Sequence, residues 1–397
     1  MNKEPGEIMK LFMVCETLSE ETAQTTQPIE VATNLKRFGH EIIFFAPRMG
    51  KYNKNEKINI KYVPTIDIFM LRSFVYQFFL FIYMFIYHLK FKPNLVHTRM
   101  GVFSIVPMLF SKIFGLPHVL HLADDIVEDM NVQNTNSSLI TIYKVIEKIN
   151  CTHSSKITTT TPNIKYALHK RWNTPLNRII TIPNGANTDL FKPMNLNKAR
   201  KELDFDQNSH YIVFVGSLVV WQGVEYLIKS APMILDKCPD VRFLIVGNGT
   251  MRGDLEALAE EIGMSNNFIF TGTVPYEDVP KYINASDVCV VPKKPLNSGY
   301  SPLKLFEYLA CSKSVVASRI SGFEILEQIN AGILVEPENP EELANAITKL
   351  LKDEKLREEM GGAGRIYVVK NHSWKTVARN VANVCEDAVE KHKIGSR

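Results

Sequence analysis

The sequence predicts an α/β protein with two Rossmann-like, doubly wound parallel-sheet domains. Three observations carry this. The chain has 397 residues, which suits two domains at roughly 100–200 residues each. Short apolar runs alternate with longer segments of helical spacing, the pattern of parallel strands joined by crossover helices. The alternation is interrupted at Ile179–Pro193 (IITIPNGANTDLFKP), a stretch rich in Pro, Asn and Gly. The division expected is 1–193, then 194–372, with 373–397 as a C-terminal helix packing back towards the first domain.

Each element has its own signal. Met9–Cys15 is a short apolar run and reads as a buried strand. Pro28–Phe38 puts Ile29, Val31, Ala32 and Leu35 on one helical face, and Gly39 is a stop signal. Glu41–Ala46 is the next strand. Leu95–Thr98, Val119–Leu122 and Lys156–Thr161 read as further strands, with helices at Gly101–Phe114 and Leu139–Asn150. The second half repeats the scheme. Its strands are Tyr211–Val215, Val241–Val246, Asn267–Thr271, Val288–Pro292 and Ser314–Ser318. Its helices are Val224–Ile234, Met251–Ile262, Leu303–Ala310, Glu341–Leu351 and Asp353–Gly361.

Composition narrows the partners. The net charge is only +4, which argues against a nucleic-acid coat. Residues 1–193 hold 22 basic against 15 acidic side chains, and 194–397 hold 24 against 27. Most of the excess lies in 51–100, with 8 basic and 2 acidic residues. Ten of the 39 aromatics fall between Phe69 and Phe91, and the apolar run Phe74–Tyr87 is interrupted only by Gln77. Fourteen residues fall short of the ~20 needed to span a bilayer, so a buried or interfacial helix is expected. Aromatics flanked by Lys and Arg suit an anionic surface, and region 51–100 is the expected place of peripheral membrane contact. The six cysteines form no metal-spaced cluster and read as reduced core residues. A cytoplasmic protein follows, at most on the inner face of a membrane.

Ligands of open parallel sheets sit at the carboxyl ends of strands, near helix N-termini. Gly216, Gly247, Gly249 and Gly272 all stand at such ends. Singly each reads as a packing glycine; together they favour a phosphate-bearing ligand whose oxygens meet backbone amides. In SGYSPLKLFEYLA (298–310), Ser301-Pro302 can open a helix with Pro at its first position. The amides of Pro302–Lys304 and the Lys304 charge would meet an anion. Glu307, one turn after Leu303, could accept two hydrogen bonds from a vicinal diol such as a ribose. A surface helix with an exposed Lys and Glu reads equally well from spacing alone.

These residues carry a resemblance. Ile182-Pro183-Asn184-Gly185 through Pro193 resembles the IPNGVD…FxP segment of glycosyltransferase family 4. Val215–Leu218 with Trp221–Gly223 resembles its VGRL…KG loop, and FLIVGNG (243–249) and FTGTVP (270–275) its next two strand ends. Ser301–Ala310 with Ser314–Ala317 is similar to its SPLKLFEYMACGKPVVA subgroup, and Gly332–Pro337 to a later strand. The resemblance implies the GT-B architecture, two Rossmann-like domains facing a central cleft. It implies retaining transfer of a sugar from a nucleotide-sugar to an acceptor hydroxyl, in glycolipid, cell-envelope polysaccharide or glycan assembly. The acceptor would be lipid-linked or saccharide.

On the donor side it assigns Gly216, Ser217, Gln222, Gly223, Gly247 and Asn248. It adds Val274, Ser301, Pro302, Leu303, Lys304 and Glu307, the last as the ribose-binding second Glu of E-x7-E. Gly299 stands at the first Glu, and Ser217 and Gln222 stand where the family has phosphate-binding Arg and Lys. Lys304 would therefore carry more of the diphosphate charge, helped by a residue such as Arg99 or Lys293. For the acceptor hydroxyl or donor sugar the candidate is Asp124, beside a more structural His121; His97 and Arg99 point the same way. The catalytic set is thus Asp124, Lys304 and Glu307. No DxD motif is evident, so neither metal nor other cofactor is expected. The triple departure at Gly299, Ser217 and Gln222 keeps one alternative open: a non-catalytic member binding nucleotide-sugar or a partner protein.

Overall fold

The computed structural model describes residues 7–16, 23–48, 58–66, 68–132 and 135–395. It divides into two compact units, Met1–Asn184 with Trp374–Arg397, and Gly185–Ser373. The second unit begins inside the Pro/Asn/Gly-rich stretch for a local reason. Ala186 N–H donates to the His372 carbonyl at 2.8 Å, and Phe191 is buried in the second core. The Arg365 guanidinium also donates to the carbonyls of Phe191 and Thr188.

The first unit is built on seven parallel strands: β1 (Lys10–Cys15), β2 (Glu41–Pro47), β3 (Ile60–Val63), β4 (Leu95–Arg99), β5 (His118–Leu122), β6 (Lys156–Thr159) and β7 (Ile179–Thr181), in the order β3-β2-β1-β4-β5-β6-β7. The central strands are buried along nearly their whole length, as a parallel sheet covered on both faces requires. The last helix, Trp374–Gly395, belongs to this unit and packs on the helix Ala23–Arg37 and on β4 and β5. The helix expected over Gly101–Phe114 starts only at Val106. Residues 101–105 form a turn instead, with Gly101 N–H donating to Ser104 Oγ at 2.8 Å, and Pro107 sets the first helical turn.

The aromatic run is part of one helix, Phe69–Phe91. The helix is longer than the run, and Leu71–Phe91 is long and apolar enough to cross a membrane by length and composition. The length argument against spanning therefore does not hold. What ties the helix to the sheet is one stripe: Tyr76, Leu80 and Met84 are buried in a cluster with Phe12, Phe45, Val96 and Phe110. Spacing of four keeps them on one face. Gln77, the polar interruption, is on the inward side too. Its amide donates to the Glu16 carboxylate and its carbonyl accepts Val106 N–H at 3.0 Å. The outer stripe, Leu71, Phe74, Phe78, Phe85 and Leu89, is exposed, Phe78 by 65%.

The second unit has six parallel strands: β8 (His210–Val215), β9 (Val241–Val246), β10 (Phe268–Gly272), β11 (Val288–Val291), β12 (Val315–Ser318) and β13 (Gly332–Val335), ordered β10-β9-β8-β11-β12-β13. The strand order reverses between β8 and β11, the switch point where a crevice opens at the carboxyl ends. One core layer lies on each face of the sheet. Helix Leu303–Ala310 follows β11 and is tied to β8, because Val215 N–H donates to the Tyr308 hydroxyl at 2.7 Å.

Candidate functional site

The switch point gathers the second-unit candidates. Gly216 follows β8 with φ +141, and its N–H donates to Val246 O at 2.8 Å. Gly247 has φ +137, and its N–H donates to Gly272 O at 2.9 Å. These two amides are committed to the sheet edge, so they do not serve a ligand as expected. What glycine supplies there is backbone freedom and space. A side chain at Gly216 would run into the Lys304 ammonium, and one at Gly247 into the Gly216 backbone. Gly223, at φ +67, caps the helix Val224–Lys237, and a Cβ there would collide with the Pro292 carbonyl.

Pro302 is the N-cap of the helix, one position earlier than expected, and the helix begins at Leu303. Proline has no N–H. The anion-facing amides of the expected Pro302–Lys304 set reduce to Leu303 and Lys304, which the first helical turn leaves without intrahelical acceptors. The Lys304 ammonium donates to Gln222 Oε1 at 2.7 Å and lies 4.0 Å from the centre of the Phe214 ring. Burial and the neighbouring Lys293 charge hold its pKa well below the usual lysine range. Glu307 is 9% exposed and accepts the Tyr276 hydroxyl at 3.0 Å. Burial raises its pKa to about 7. Neither side chain behaves as a solvated surface residue.

The other donor-side candidates are distributed around this pair. Ser217 and Asn248 are exposed, Ser301 and Leu303 half-buried, and Val274 packs against the core layer that holds Leu305 and Phe306. Gly299 adopts φ +66. A glutamate would be strained in that left-handed conformation, which accounts for glycine at the position where the family resemblance puts its first Glu. Tyr276 stands in no motif of the sequence. Its only signal is its place just past the Thr273-Val274-Pro275 strand end.

Asp124 lies in the first unit, at the carboxyl end of β5. Its side chain is 54% exposed, and Arg99 approaches it at 3.8 Å. Asp125, next to it, is an anchor: Arg171 donates to both its oxygens at 2.9 and 2.7 Å, and Glu128 N–H donates to Oδ1. His121 is buried between Gln27 Nε2 at 2.6 Å and Thr158 Oγ1 at 3.0 Å. Burial, reinforced by the neighbouring His97 and Arg99, holds its pKa well below the usual histidine range. Gln27, His97, Arg99 and His121 line a pocket under the end of β4, and His97 Nε2 has no partner among the described residues. Residues 17–22 of the loop after β1 and 51–57 of the basic region lie outside the described residues.

Comparison with known proteins matches each unit to a family. Residues 196–367 match the family described as glycosyl transferases group 1, and 25–190 match glycosyltransferase family 4. An uncharacterised glycosyltransferase of Methanocaldococcus jannaschii is 30% identical over 62% of this chain and 63% of its own length. A GDP-mannose-dependent monoacylated α-(1-6)-phosphatidylinositol monomannoside mannosyltransferase of Corynebacterium glutamicum is 28% identical over 52% and 55%. The chain thus spans between half and two thirds of these relatives. Among solved structures, sucrose-phosphate synthase of Thermosynechococcus elongatus superimposes with a TM-score of 0.76 at 20% identity, covering 94% of this chain and 98% of its own. Anabaena HepE in complex with UDP-glucose gives 0.76 at 18% identity, with coverage of 94% and 98%. The fold is GT-B, and the chain belongs to the group 1 glycosyltransferases of family 4.

Proposed function

We propose that the chain transfers a sugar from a nucleoside-diphosphate sugar to an acceptor hydroxyl, with retention at the anomeric carbon. The observation that carries this is the pairing of Lys304 and Glu307 on one helical turn at the switch point, a cation for the diphosphate and a carboxylate for the ribose diol. In the reaction, the bond from the anomeric carbon to the diphosphate oxygen breaks, and its electron pair goes to that oxygen. The acceptor oxygen bonds to the same face, and its proton passes to the departing phosphate. Lys304 and the amides of Leu303 and Lys304 stabilise the developing charge. Asp124, held by Arg99, is the candidate for orienting the hydroxyl in the first unit. UDP, as bound in the complexes of HepE, and GDP-mannose, as used by the corynebacterial relative, are donor classes to try first.

The test is release of nucleoside diphosphate from UDP-, GDP-, ADP- and TDP-sugars with a hydroxyl-bearing lipid or saccharide acceptor. Turnover is expected with one donor class and unchanged by EDTA, because the proposed charge partners are side chains and amides. A strict Mn²⁺ or Mg²⁺ requirement would remove metal independence. Tight binding of a nucleotide-sugar without turnover on any acceptor would favour the non-catalytic alternative.

The acceptor is proposed to be presented at a membrane. The exposed stripe Leu71, Phe74, Phe78, Phe85 and Leu89 supplies apolar contact, and the exposed Lys90, Lys92 and Lys112 are charges for an anionic surface. In flotation on vesicles, the protein is expected to rise with anionic liposomes. Phe74→Ser/Phe78→Ser is expected to stay in the soluble fraction without losing its fold. A wild type that never floats would count against the membrane site.

A further inference from the structure

We infer that Tyr308 is a positioning residue of the donor site: it locks the helix Leu303–Ala310 in register with the end of β8 and so places the Lys304 ammonium. The inference rests on the donor reading above and concerns the same crevice. It starts from the way the sheet opens at the switch point. The β8–β9 ladder runs to the end of both strands, with Val215 beside Val246. The β8–β11 ladder holds only Ile212 beside Val288 and Val213 beside Cys289. Successive N–H groups of a strand point to opposite neighbours. Gly216 N–H goes to Val246 O on the β9 side, so Val215 N–H faces the gap from which β11 has diverged. Its acceptor comes from the helix instead. The Tyr308 hydroxyl takes that N–H at 2.7 Å, on a side chain that is fully buried.

The same helix meets both neighbours of Val215 through Lys304. The ammonium lies 4.0 Å from the centre of the Phe214 ring, and a Cβ on Gly216 would come within 2.5 Å of it. Lys304 and Tyr308 are four residues apart and share one helical face. Residues 214, 215 and 216 are therefore held in a row by two side chains of that face. A lysine head on its four-carbon stem has no fixed place of its own. Here Gln222 Oε1 holds it from one side at 2.7 Å, and the end of β8 supports it from below. Without the Tyr308 oxygen, Val215 N–H would be left buried and unpaired, a costly state. The helix would shift on β8 to admit another acceptor, and Lys304 would move with it. A displacement of about 1 Å is enough to spoil a charge-assisted contact. The Tyr308 hydroxyl is engaged with the strand, so its influence on the donor passes through Lys304.

The experiment is a double-mutant cycle read by calorimetric titration of the full chain. UDP, GDP, ADP and TDP are tried on the wild type, and the tightest is carried through Tyr308→Phe, Lys304→Met and the double variant. Tyr308→Phe deletes one oxygen and keeps the packed ring; a thermal melt of each variant checks that it is folded at the titration temperature. Tyr308→Phe is expected to weaken the diphosphate about tenfold in the wild-type background. In the Lys304→Met background the same change is expected to cost less than about twofold, because the group it positions is gone. Tyr143→Phe removes a buried hydroxyl of the first unit, which donates to Glu147 at 3.2 Å, and should leave nucleotide affinity unchanged. Wild-type affinity in Tyr308→Phe would overturn this inference alone. So would an equal loss in both backgrounds, the additive result of a residue that serves only stability. A wild type that binds none of the four diphosphates would overturn the donor reading and this inference with it.

Discussion

Glu307→Gln is expected to lower kcat/KM by about two to three orders of magnitude, as the loss of two hydrogen bonds to a charged acceptor implies. An ionised carboxylate can accept two hydroxyls of a diol and the Tyr276 hydroxyl together. A carboxamide has one accepting oxygen and turns an N–H₂ towards one of the donors. The variant keeps the size of the side chain, so its melting temperature should be retained. The pH dependence provides a second check. In the unliganded fold, burial raises Glu307 to about 7 from 4.5. Donor binding needs the charged form, so affinity should be full above that value and fall as pH drops through it. Stability has the opposite sign. The folded carboxyl holds its proton to higher pH than the unfolded chain, so its contribution is present below about 4.5 and is lost as pH rises through about 7. Part-buried Glu16, also raised to about 7 by desolvation, adds to the same stability slope. Glu307→Gln should remove the loss of affinity as pH drops through about 7, and flatten the stability profile only in part. A variant with wild-type turnover and the same pH profile of affinity would remove Glu307 from the site.

Most of the sheet strands can be read in the sequence. β1, β2, β8 and β11 hold unbroken apolar runs, and β4, β5, β6, β9, β10 and β12 are short, mostly apolar or β-branched segments between helical ones. β3 and β7 give no clear strand signal, because they lie at the edges of the first sheet and bury less: of Ile60–Val63, only Val63 is fully buried. In the site, Lys304 and Glu307 stood out because their spacing on one helix turn is a local property. Tyr276 did not, since its contact with Glu307 joins positions 31 residues apart. The glycines show a different limit. Sequence could place them at strand ends, but whether their amides face a ligand or the next loop depends on which carbonyl is near. Here Val246 O and Gly272 O take the amides of Gly216 and Gly247. Gln77 is a similar case. It interrupted an apolar run in the sequence, and only the turn 101–106 and Glu16 explain why a buried helix face needs an amide there.

Lys304→Met should separate binding from folding most sharply. The methionine keeps the unbranched stem that packs on Phe214 and removes the charge. Nucleoside-diphosphate affinity is expected to fall about a hundredfold, the upper range for a charge-assisted hydrogen bond in a dry site. The ligand-free protein should melt at the same temperature or higher, because a desolvated cation repelled by Lys293 has been removed. The sign follows from the lowered pKa. A lysine that binds its proton less tightly when folded than unfolded destabilises the fold at neutral pH, and that cost fades as pH rises towards the unfolded value of 10.5. The stability gain of the variant should therefore be largest near neutrality and vanish at alkaline pH. The measurement is a thermal melt across pH, with and without saturating nucleotide. Wild type should gain stability from the ligand, by an amount set by its concentration relative to Kd, and Lys304→Met should gain little. A variant that melts lower without ligand and still shifts with nucleotide would mean that Lys304 is a structural residue, and that the diphosphate is held elsewhere.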